Sequence, residues 1–593
     1  MASENIKQLP YGLADFWKIQ RSNMYYVDKT RFIPLLEAGS RFVFFIRPRR
    51  FGKTLWLSVL ENYYDIGFKE RFKETFKGTF IGEHPTEERN SYLVLMFNFA
   101  MVNPEPQSVR ESFEANGQTI IRDFLRRYAQ FFDEHERSAI LSFAKTEDQL
   151  RELFVRAADK NLKIYVLIDE YDNFANTILT AAGEHAYREL THGAGFFRYF
   201  FNLLKGATSG RTSGLTRLFI TGVSPITMDD VTSGFNIGEN ITLDRQIHDL
   251  LGFREEEVLN ILEYYKDTGK LHLDVSLCLD VMSTWYDHYR FSTRATDQVF
   301  NPDMVLYFLK QVMKDDLLPE TMIDQNIRID YGKLRHLVLV DRKFNGNFSI
   351  LKEIIETGET ISALNVSFPL ERLLDRANFV SLLFYLGLVS IADTMKGSPL
   401  LRIPNRTVEK LMYGYLRDAF YDVDVFRLEV WSFANLIRNM AYDGEWQPVF
   451  DFLAEEVKKQ TSVRDYLAGE KVIQEFLLAY LNVTDYFLTW SEREMKKGFA
   501  DLYLEPFLAR FPDMRYGYVI ELKYIPRQEF SDTKLQENIK EAKQQAKQYA
   551  EDERIQKTSQ NVTLKKLVLI YNGWELVHRE EMETCHKNTR IEH

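Results

Sequence analysis

RPRRFGKTLW, residues 47–56, decides how the N-terminal half of the chain is read. A loop that grips a triphosphate needs inward-pointing backbone N–H groups, a helix N-terminus and a lysine reaching the outer phosphates. Its usual form is G-x-x-x-x-G-K-[ST]. Phe51-Gly52-Lys53-Thr54 supplies the second half of that pattern. Gly52 would allow close backbone approach, Lys53 would reach the β and γ phosphates, and the Thr54 hydroxyl would bind Mg²⁺. Arg47 stands where the first glycine belongs, and Pro48, Arg49 and Arg50 make the loop stiffer and more basic. The competing reading is a basic turn ahead of a helix.

The surroundings favour the phosphate loop. RFVFFIR (41–47), SYLVLMFNFA (91–100), LKIYVLID (162–169) and RLFITGV (217–223) are apolar strands whose continuous hydrophobicity suits a parallel sheet covered on both faces. GKTLWLSVLENYYD (52–65) and EDQLRELFVRAADK (147–160) read as helices between them. This alternation predicts a doubly wound α/β domain over residues 1–250. IYVLIDEYDNF (164–174) ends its strand on Asp169-Glu170. In P-loop ATPases the first such carboxylate orients Mg²⁺ and the next polarises the attacking water. An acidic strand end alone is common; paired with GKT it is not. Thr221, at the end of a further strand, is a candidate contact for the γ-phosphate or the water, against the plain alternative of a threonine at a strand end. Arg198, Arg211 and Arg245 are open as arginine-finger candidates. The missing glycine is expected to reflect a different backbone path, with Arg49 or Arg50 contacting phosphate or a neighbouring subunit.

Length and composition set the frame. At 593 residues the chain has room for two to four domains. Its 45% hydrophobic and 27% charged residues fit a globular protein, and the 45 Phe and 31 Tyr can build large cores. A formal net charge of −11 excludes a uniformly basic nucleic-acid coat while leaving room for a local basic groove. Two separated cysteines, Cys278 and Cys585, argue against a disulfide framework or a cysteine metal site and fit a reducing compartment. The opening MASENIKQLPYGL has no charged leader before an apolar stretch, and there is no run of about 18 apolar residues. A cytoplasmic protein without a membrane span is therefore expected. Residues 251–400 read as a helical, winged-helix-like region, 401–465 as a helical connector, and 466–593 as a third, α/β domain.

That last domain carries a second constellation. KGFADLYLEPF (497–507) and YGYVIELKYI (516–525) read as paired strands, after the helix EKVIQEFLLAYLN (470–482) and before the polar helix LQENIKEAKQQAKQYAEDE (535–553). Glu521 and Lys523, two apart, project from one strand face, while Ile520, Leu522 and Tyr524 point to the other. Charged groups inside an apolar strand are costly unless they serve a site. Phosphodiester cleavage needs a divalent metal, an activated water and charge on the transition state. Asp501 and Glu521 are the candidate ligands for Mg²⁺, with Mn²⁺ as an alternative, and Lys523 the candidate for positioning or activating water. Glu475 is the helix carboxylate favoured to join them, with Glu470 and Glu494 as rivals. Gln545 and Tyr549, four apart on one helix face, are candidate contacts to the site or to a nucleic-acid backbone. A half-exposed strand often produces E-x-K by chance; the helix–strand–strand–helix–strand order is what raises its weight.

Taken together these stretches resemble bacterial proteins that join an N-terminal AAA-ATPase-like domain to a C-terminal PD-(D/E)XK nuclease-superfamily domain. LPYGLADFWKIQRSNMYYVDKTRFIPLLE, RPRRFGKTLWLS, VLIDEYD and FITGVSPI match the first half, arginines included, and WYDHYRF (285–291) and VFNPDMVLYFL (299–309) its helical region. His288 replaces the small residue expected there. SEREMKKGFADLYLEP and YVIELKY match the second half, aligning Glu494, Gly498 and Asp501, then Glu521 and Lys523; Phe499 stands where a basic residue is usual. The resemblance implies ATP and Mg²⁺ as cofactors, nucleic acid as partner (DNA rather than RNA), a homo-oligomer, and metal-dependent cleavage under nucleotide control, with defence against phage or foreign DNA as a role suggested by architecture. Two further readings stay open: an oligomeric switch that binds nucleic acid without cutting, and an ATPase acting on a partner protein.

Overall fold

The structure is a computed structural model. It describes residues 6–193, 195–210, 214–226, 230, 237–327, 339–340, 343–344, 346–422, 426–460, 469–491, 501–549 and 553–582. The strands are β1 Phe42–Ile46, β2 Leu93–Asn98, β3 Ile164–Asp169, β4 Leu215–Gly222, β5 Glu239–Asn240, β6 Leu339–Val340, β7 Lys343–Phe344, β8 Glu359–Ile361, β9 Ser390–Met395, β10 Ser398–Arg402, β11 Phe487–Ser491, β12 Leu502–Pro506, β13 Tyr516–Ile525, β14 Thr563–Asn572 and β15 Glu575–Glu581. The chain divides into two compact units. One comprises Met1–Asp316, Ile323–Lys333 and Thr360–Arg406; the other comprises Leu317–Met322, Leu334–Glu359 and Thr407–His593.

The first unit is built on a parallel sheet of order β2-β3-β4-β1-β5. Every residue of β3 is buried, which is why the sequence there is apolar without alternation. Helix Lys53–Tyr64 packs on β2 and β3. Under helices Val109–Arg127 and Phe196–Gly206 the core is aromatic: Phe99 meets Phe113, Phe174, Phe197 and Phe200 at ring separations of 5.5, 5.9, 5.8 and 5.6 Å. The insertion of β4 between β1 and β3 has a functional consequence. It brings the end of β4 between the phosphate-loop strand and the strand that ends in Asp169-Glu170.

The Tyr26-Val27-Asp28-Lys29-Thr30 segment is a latch within this unit. Asp28 accepts from the backbone N–H groups of Thr30 (2.9 Å) and Phe80 (2.6 Å), and Thr30 Oγ1 accepts from Ile81 N at 3.1 Å. Lys29 is buried, and its Nζ reaches both oxygens of Glu257 at 2.9 and 2.6 Å and the Asp249 carbonyl at 3.1 Å.

The second unit carries a mixed sheet of order β11-β12-β13-β14-β15. β11, β12 and β13 run antiparallel, β13 and β14 run parallel, and β15 returns antiparallel through the Asn572-Gly573 turn. The parallel step needs a crossover, supplied by helices Asp532–Tyr549 and Glu553–Thr558. Ala542, Ala546 and Ile539 of the longer helix cover Ile525, Val568 and Ile570 on one face of the sheet. On the other face Tyr518 donates to the Met440 carbonyl of helix Val430–Asp443 at 2.6 Å.

The buried Lys29–Glu257 pair generates a stability prediction. Lys29→Met removes the hydrogen-bonded partner of Glu257, leaving it Arg31 and Arg254 at 3.8 and 3.9 Å, and is expected to cost about 3 kcal/mol. Joining it to Glu257→Leu should recover most of that loss. The two melting transitions, compared with the parent, check this; a double variant no more stable than the single would contradict it.

Candidate active sites

In the first unit, β1 feeds a loop whose path is set by two left-handed residues, Arg50 at φ 69° and Gly52 at φ 91°. Gly52 caps helix Lys53–Tyr64, and nothing lies within 4 Å of where a Cβ would stand, so the backbone there is open to a ligand. Arg47 has no solvent exposure. Its Nη1 donates to the carbonyls of Ile46 and Thr242 at 3.0 and 2.8 Å, its Nη2 reaches the His248 carbonyl at 3.4 Å, and its guanidinium lies 4.3 Å from the ring centroids of both Phe45 and Phe291. Burial pulls its pKa down to about 9. The residue in the first-glycine position is therefore an anchor for the loop. Arg49 and Arg50 are partly exposed, and Arg50 Nη1 lies 3.8 Å from Asp303. The Phe51 ring is buried edge-on against Tyr289 and Phe291, so its contribution to an anion would be its backbone N–H.

Lys53 is buried and donates to the loop's own carbonyls, Arg47 O at 3.1 Å and Pro48 O at 3.0 Å. Burial lowers its pKa to about 8, against the opposing pull of Asp169, Glu170 and Asp172. Thr54 Oγ1 donates to Asp169 Oδ2 at 2.7 Å, so the two groups expected on Mg²⁺ already touch, one from the first turn of helix Lys53–Tyr64 and the other from the end of β3. Burial also raises the Asp169 pKa, despite the Thr54 hydrogen bond and the Lys53 charge. Glu170 takes a left-handed φ of 49°, its N–H donates to Asp169 Oδ1 at 3.0 Å, and its carboxylate accepts from Asn173 Nδ2. A strained non-glycine backbone of this kind costs of order 1 kcal/mol and is typical of functional turns. An open glycine cradle, a buried lysine and a hydroxyl–carboxylate pair fit a triphosphate with Mg²⁺.

Thr221 is buried at the end of β4, and its hydroxyl donates to the Phe45 carbonyl at 2.8 Å. Sequence reasoning passed over its neighbour Asp172. That carboxylate is buried and accepts from Ser224 N at 2.6 Å and Val223 N at 3.2 Å, tying the Asp169-Glu170 turn to the end of β4. Gly222 is needed for that approach: a Cβ there would stand 2.4 Å from Asp172 Oδ1 and from the Tyr171 ring. The third acid of IDEYD was the available signal. Of the arginine-finger candidates, Arg198 lies on helix Phe196–Gly206, Arg245 is exposed in a short 3₁₀ turn, and Arg211 lies outside the described residues.

In the second unit, β12 and β13 pair with Leu502 opposite Ile520 and Tyr503 opposite Val519. Continuing that register by one residue sets Asp501 opposite Glu521, where side chains share a face. Asp501 Oδ2 accepts from Leu522 N at 2.7 Å, and the Asp501 carbonyl accepts from Gln474 Nε2 of helix Glu470–Leu481. Lys523 Nζ lies 3.1 Å from Glu521 Oε1 and 3.8 Å from Glu541 on helix Asp532–Tyr549. Along β13 the acid and the lysine fall between two apolar neighbours of the same parity: Val519, packed with Tyr503 and Ile555, and Ile525, packed under the helix alanines. Glu521 is 2% exposed, and its Oε2 has no hydrogen-bond partner among the described residues. Burial, then the Asp501 charge, drives its pKa up to about 8, against the pull of Lys523. Burial works against the Lys523 ammonium, but Glu521, Asp501 and Glu470 outweigh it and raise its pKa.

These charges determine what the site can hold. Among the described residues carboxylates outnumber the Lys523 ammonium, and one buried oxygen of Glu521 has no hydrogen-bond partner. A divalent cation meets both needs, and Mg²⁺ is commonly bound through one or two carboxylates with water and phosphate oxygens completing its shell. Glu470, one turn before Gln474, acts electrostatically on both Glu521 and Lys523. Glu475 is buried on the same helix, and Glu494, Gly498 and Phe499 lie outside the described residues. Gln545 continues the helix line from Glu541 with a buried Oε1 that has no partner among the described residues, and Tyr549 packs against the Tyr503–Val519–Ile555 cluster.

Comparison with known proteins agrees with both halves. Residues 10–232 match the family model described as "Predicted AAA-ATPase", and residues 468–581 match that of the PD-(D/E)XK nuclease superfamily. A protein of Azotobacter chroococcum mcd 1, "Uncharacterized protein in vnfD 5'region", is 27% identical over 311 residues, which are 51% of this chain. The match spans about half of that relative's length, 52%. Among solved structures, Cdc6p from Pyrobaculum aerophilum aligns at 11% identity and a TM-score of 0.26, covering 66% of this chain and 93% of its own. The Aeropyrum pernix ORC2 protein in its ADPNP-ADP complexes aligns at 13% identity and a TM-score of 0.31, covering 66% and 93%. Among the described residues no helix is long and apolar enough to cross a membrane. The chain thus joins a domain of the predicted AAA-ATPase family, built on the β2-β3-β4-β1-β5 sheet, to a domain of the PD-(D/E)XK nuclease superfamily carrying Asp501, Glu521 and Lys523.

Proposed function

We propose that this chain binds and hydrolyses ATP and cuts nucleic-acid phosphodiester bonds with a divalent metal, the cutting being under nucleotide control. The ATPase reading rests on the 2.7 Å contact between Thr54 and Asp169 beside the buried Lys53. Lys53 and the loop N–H groups hold the phosphates, Thr54 and Asp169 hold Mg²⁺, and Glu170 orients and deprotonates the attacking water. Arg49, Arg50 and Thr221 serve the phosphate end in this reading.

The nuclease reading rests on one observation: Glu521, buried with an unsatisfied oxygen, lies opposite Asp501 and beside Lys523. Asp501 and Glu521 hold Mg²⁺ or Mn²⁺, which when bound supplies Lewis-acid polarisation of a phosphoryl oxygen and lowers the pKa of water. Glu470 or Glu475 adds negative charge from the helix. Lys523 positions the water and offsets charge on the phosphate, while Gln545 and Tyr549 contact the strand. DNA is the proposed substrate ahead of RNA, and a cytoplasmic homo-oligomer the proposed form. Defence against phage or foreign DNA is the role such a pairing of activities would serve.

Three outcomes follow. Lys53→Ala should abolish ATP binding in an equilibrium nucleotide assay, whereas Glu170→Gln should keep binding and lose turnover by about 100-fold or more, the usual worth of a general base. Asp501→Ala and Lys523→Ala should each abolish plasmid or RNA cutting in Mg²⁺ or Mn²⁺, and Lys53→Ala should change the nucleotide dependence of cutting by the intact site. A wild type that binds nucleic acid and never cuts would instead make the chain a binding switch. Finally, a metal entering the second site must displace the proton that Glu521 holds below about pH 8. Mn²⁺ affinity should therefore climb as pH rises, by up to about tenfold per unit below that value, and level off above it. A Mn²⁺ titration that is flat between pH 6 and 9 would contradict this assignment of the proton.

A further inference from the structure

We propose that the first unit holds a zinc-type cation site, separate from the Thr54–Asp169 position, formed by His192, Asp230 and Glu371. One ligand atom from each lies within 4.8 Å of the other two, and among the described residues this is the group of three His, Cys, Asp or Glu side chains so arranged.

The geometry fixes which atom of the histidine faces the acids. His192 caps the C-terminal end of helix Asn173–Thr191. Thr191 Oγ1 donates its single hydrogen to the Tyr187 carbonyl at 3.0 Å and lies 2.9 Å from His192 Nδ1. With that hydrogen on the carbonyl, the threonine oxygen can accept from Nδ1–H, and in that tautomer Nε2 is the ring nitrogen able to bind a metal. Nε2 in turn sits 3.4 Å from Glu371 Oε1 and 3.7 Å from Asp230 Oδ1. Two carboxylate oxygens and an imidazole nitrogen converging on one point call for positive charge there, and a metal ion can meet all three ligand atoms at once where a proton on Nε2 cannot. The Tyr187 hydroxyl donates to Asp230 Oδ2 at 2.7 Å and orients Oδ1 toward the ring. A hydrogen bond to the far nitrogen of a ligating histidine and another to a ligating carboxylate are the usual supports of a metal centre.

The spacing suits zinc. Ligands at about 2.1 Å in a tetrahedron stand about 3.4 Å apart. The histidine–glutamate distance already has that value and the histidine–aspartate distance is 3.7 Å, while Glu371, whose side chain is 37% exposed, can move to close on Asp230. Imidazole with carboxylates favours Zn²⁺ and its neighbours over Mg²⁺. Arg188 Nη2 stands 2.7 Å from Glu371 Oε1, where it competes with a cation, but it also reaches Glu184 at 2.5 Å and can be retained there. A bound cation would tie together the end of the helix that follows Asp169-Glu170, the chain beyond β4, and the Leu370–Arg372 turn.

The test uses the full chain carrying Asp501→Ala and Glu521→Ala, with excess Mg²⁺ to occupy the nucleotide loop. Zn²⁺ is titrated in competition with a chromophoric chelator. One Zn²⁺ per chain is expected, weakened about tenfold or more by His192→Gln or Glu371→Gln, about tenfold by Tyr187→Phe, and tightened by Arg188→Ala. His192 and Glu371 are both partly exposed, and unchanged metal-free melting confirms that each variant is folded. Zinc uptake unaltered by both His192→Gln and Glu371→Gln, or no stoichiometric uptake by the parent, overturns the proposal.

Discussion

A guanidinium with no solvent exposure holds the phosphate loop in its course. Arg47 is the residue that makes RPRRFGKT look irregular, and its side chain turns back under the loop onto three carbonyls and two aromatic faces. Burying a charge is expensive, and burial pulls the Arg47 pKa down for that reason. What offsets it is geometric: with Arg47 fixed, its carbonyl and that of Pro48 become acceptors for Lys53. The turn that a first glycine would make falls instead to Arg50 and Gly52, both left-handed. Phe51, wedged against Tyr289 and Phe291, completes the anchoring from the other side.

Strand order does for Asp169 and Glu170 what Arg47 does for the loop. Because β4 runs between β1 and β3, Asp169 can reach across to Thr54, while Asp172 grips the backbone beyond β4. The strained turn at Glu170 is thus held from both ends, by Thr54 through Asp169 and by Ser224 through Asp172. A glutamate so constrained has few orientations, which is what a water-positioning group requires.

Much of this was legible as pattern. Continuous apolar runs gave β1 to β4, and the paired strands at 497–507 and 516–525 appear as β12 and β13, with Asp501 just before β12 and its carboxylate accepting from Leu522 N beside Glu521. Gly387 turns the chain between helix Arg376–Tyr385 and β9, as the run 377–391 suggested. Other features have no local signature. Lys29 meets Glu257 across 228 residues of chain, so neither looks special alone. An arginine in a basic loop reads as solvated, yet Arg47 is core. The insertion of β4 between β1 and β3 depends on long-range pairing, and β11, a five-residue strand, is too short for its alternation to stand out. Glu470 and Glu475 lie on one helix, and only folding shows that Glu470 acts on Glu521 and Lys523.

The two sites share a physical principle with opposite signs. In the first unit a buried ammonium, Lys53, is satisfied by loop carbonyls and has its pKa pulled down. In the second a buried carboxylate, Glu521, has its pKa pushed up. Each group carries a charge that its surroundings resist, and each resists less when a ligand of opposite charge arrives: phosphate for Lys53, a divalent cation for Glu521. Desolvation that costs the folded chain stability therefore returns as binding energy, because the attraction is stronger where water is excluded. Replacing Lys53 by a neutral isostere would ease the folded state and remove the attraction together, so stability and ligand affinity are expected to move in opposite directions there, whereas at Glu521 the same change also strips Lys523 of its partner and that relief is offset.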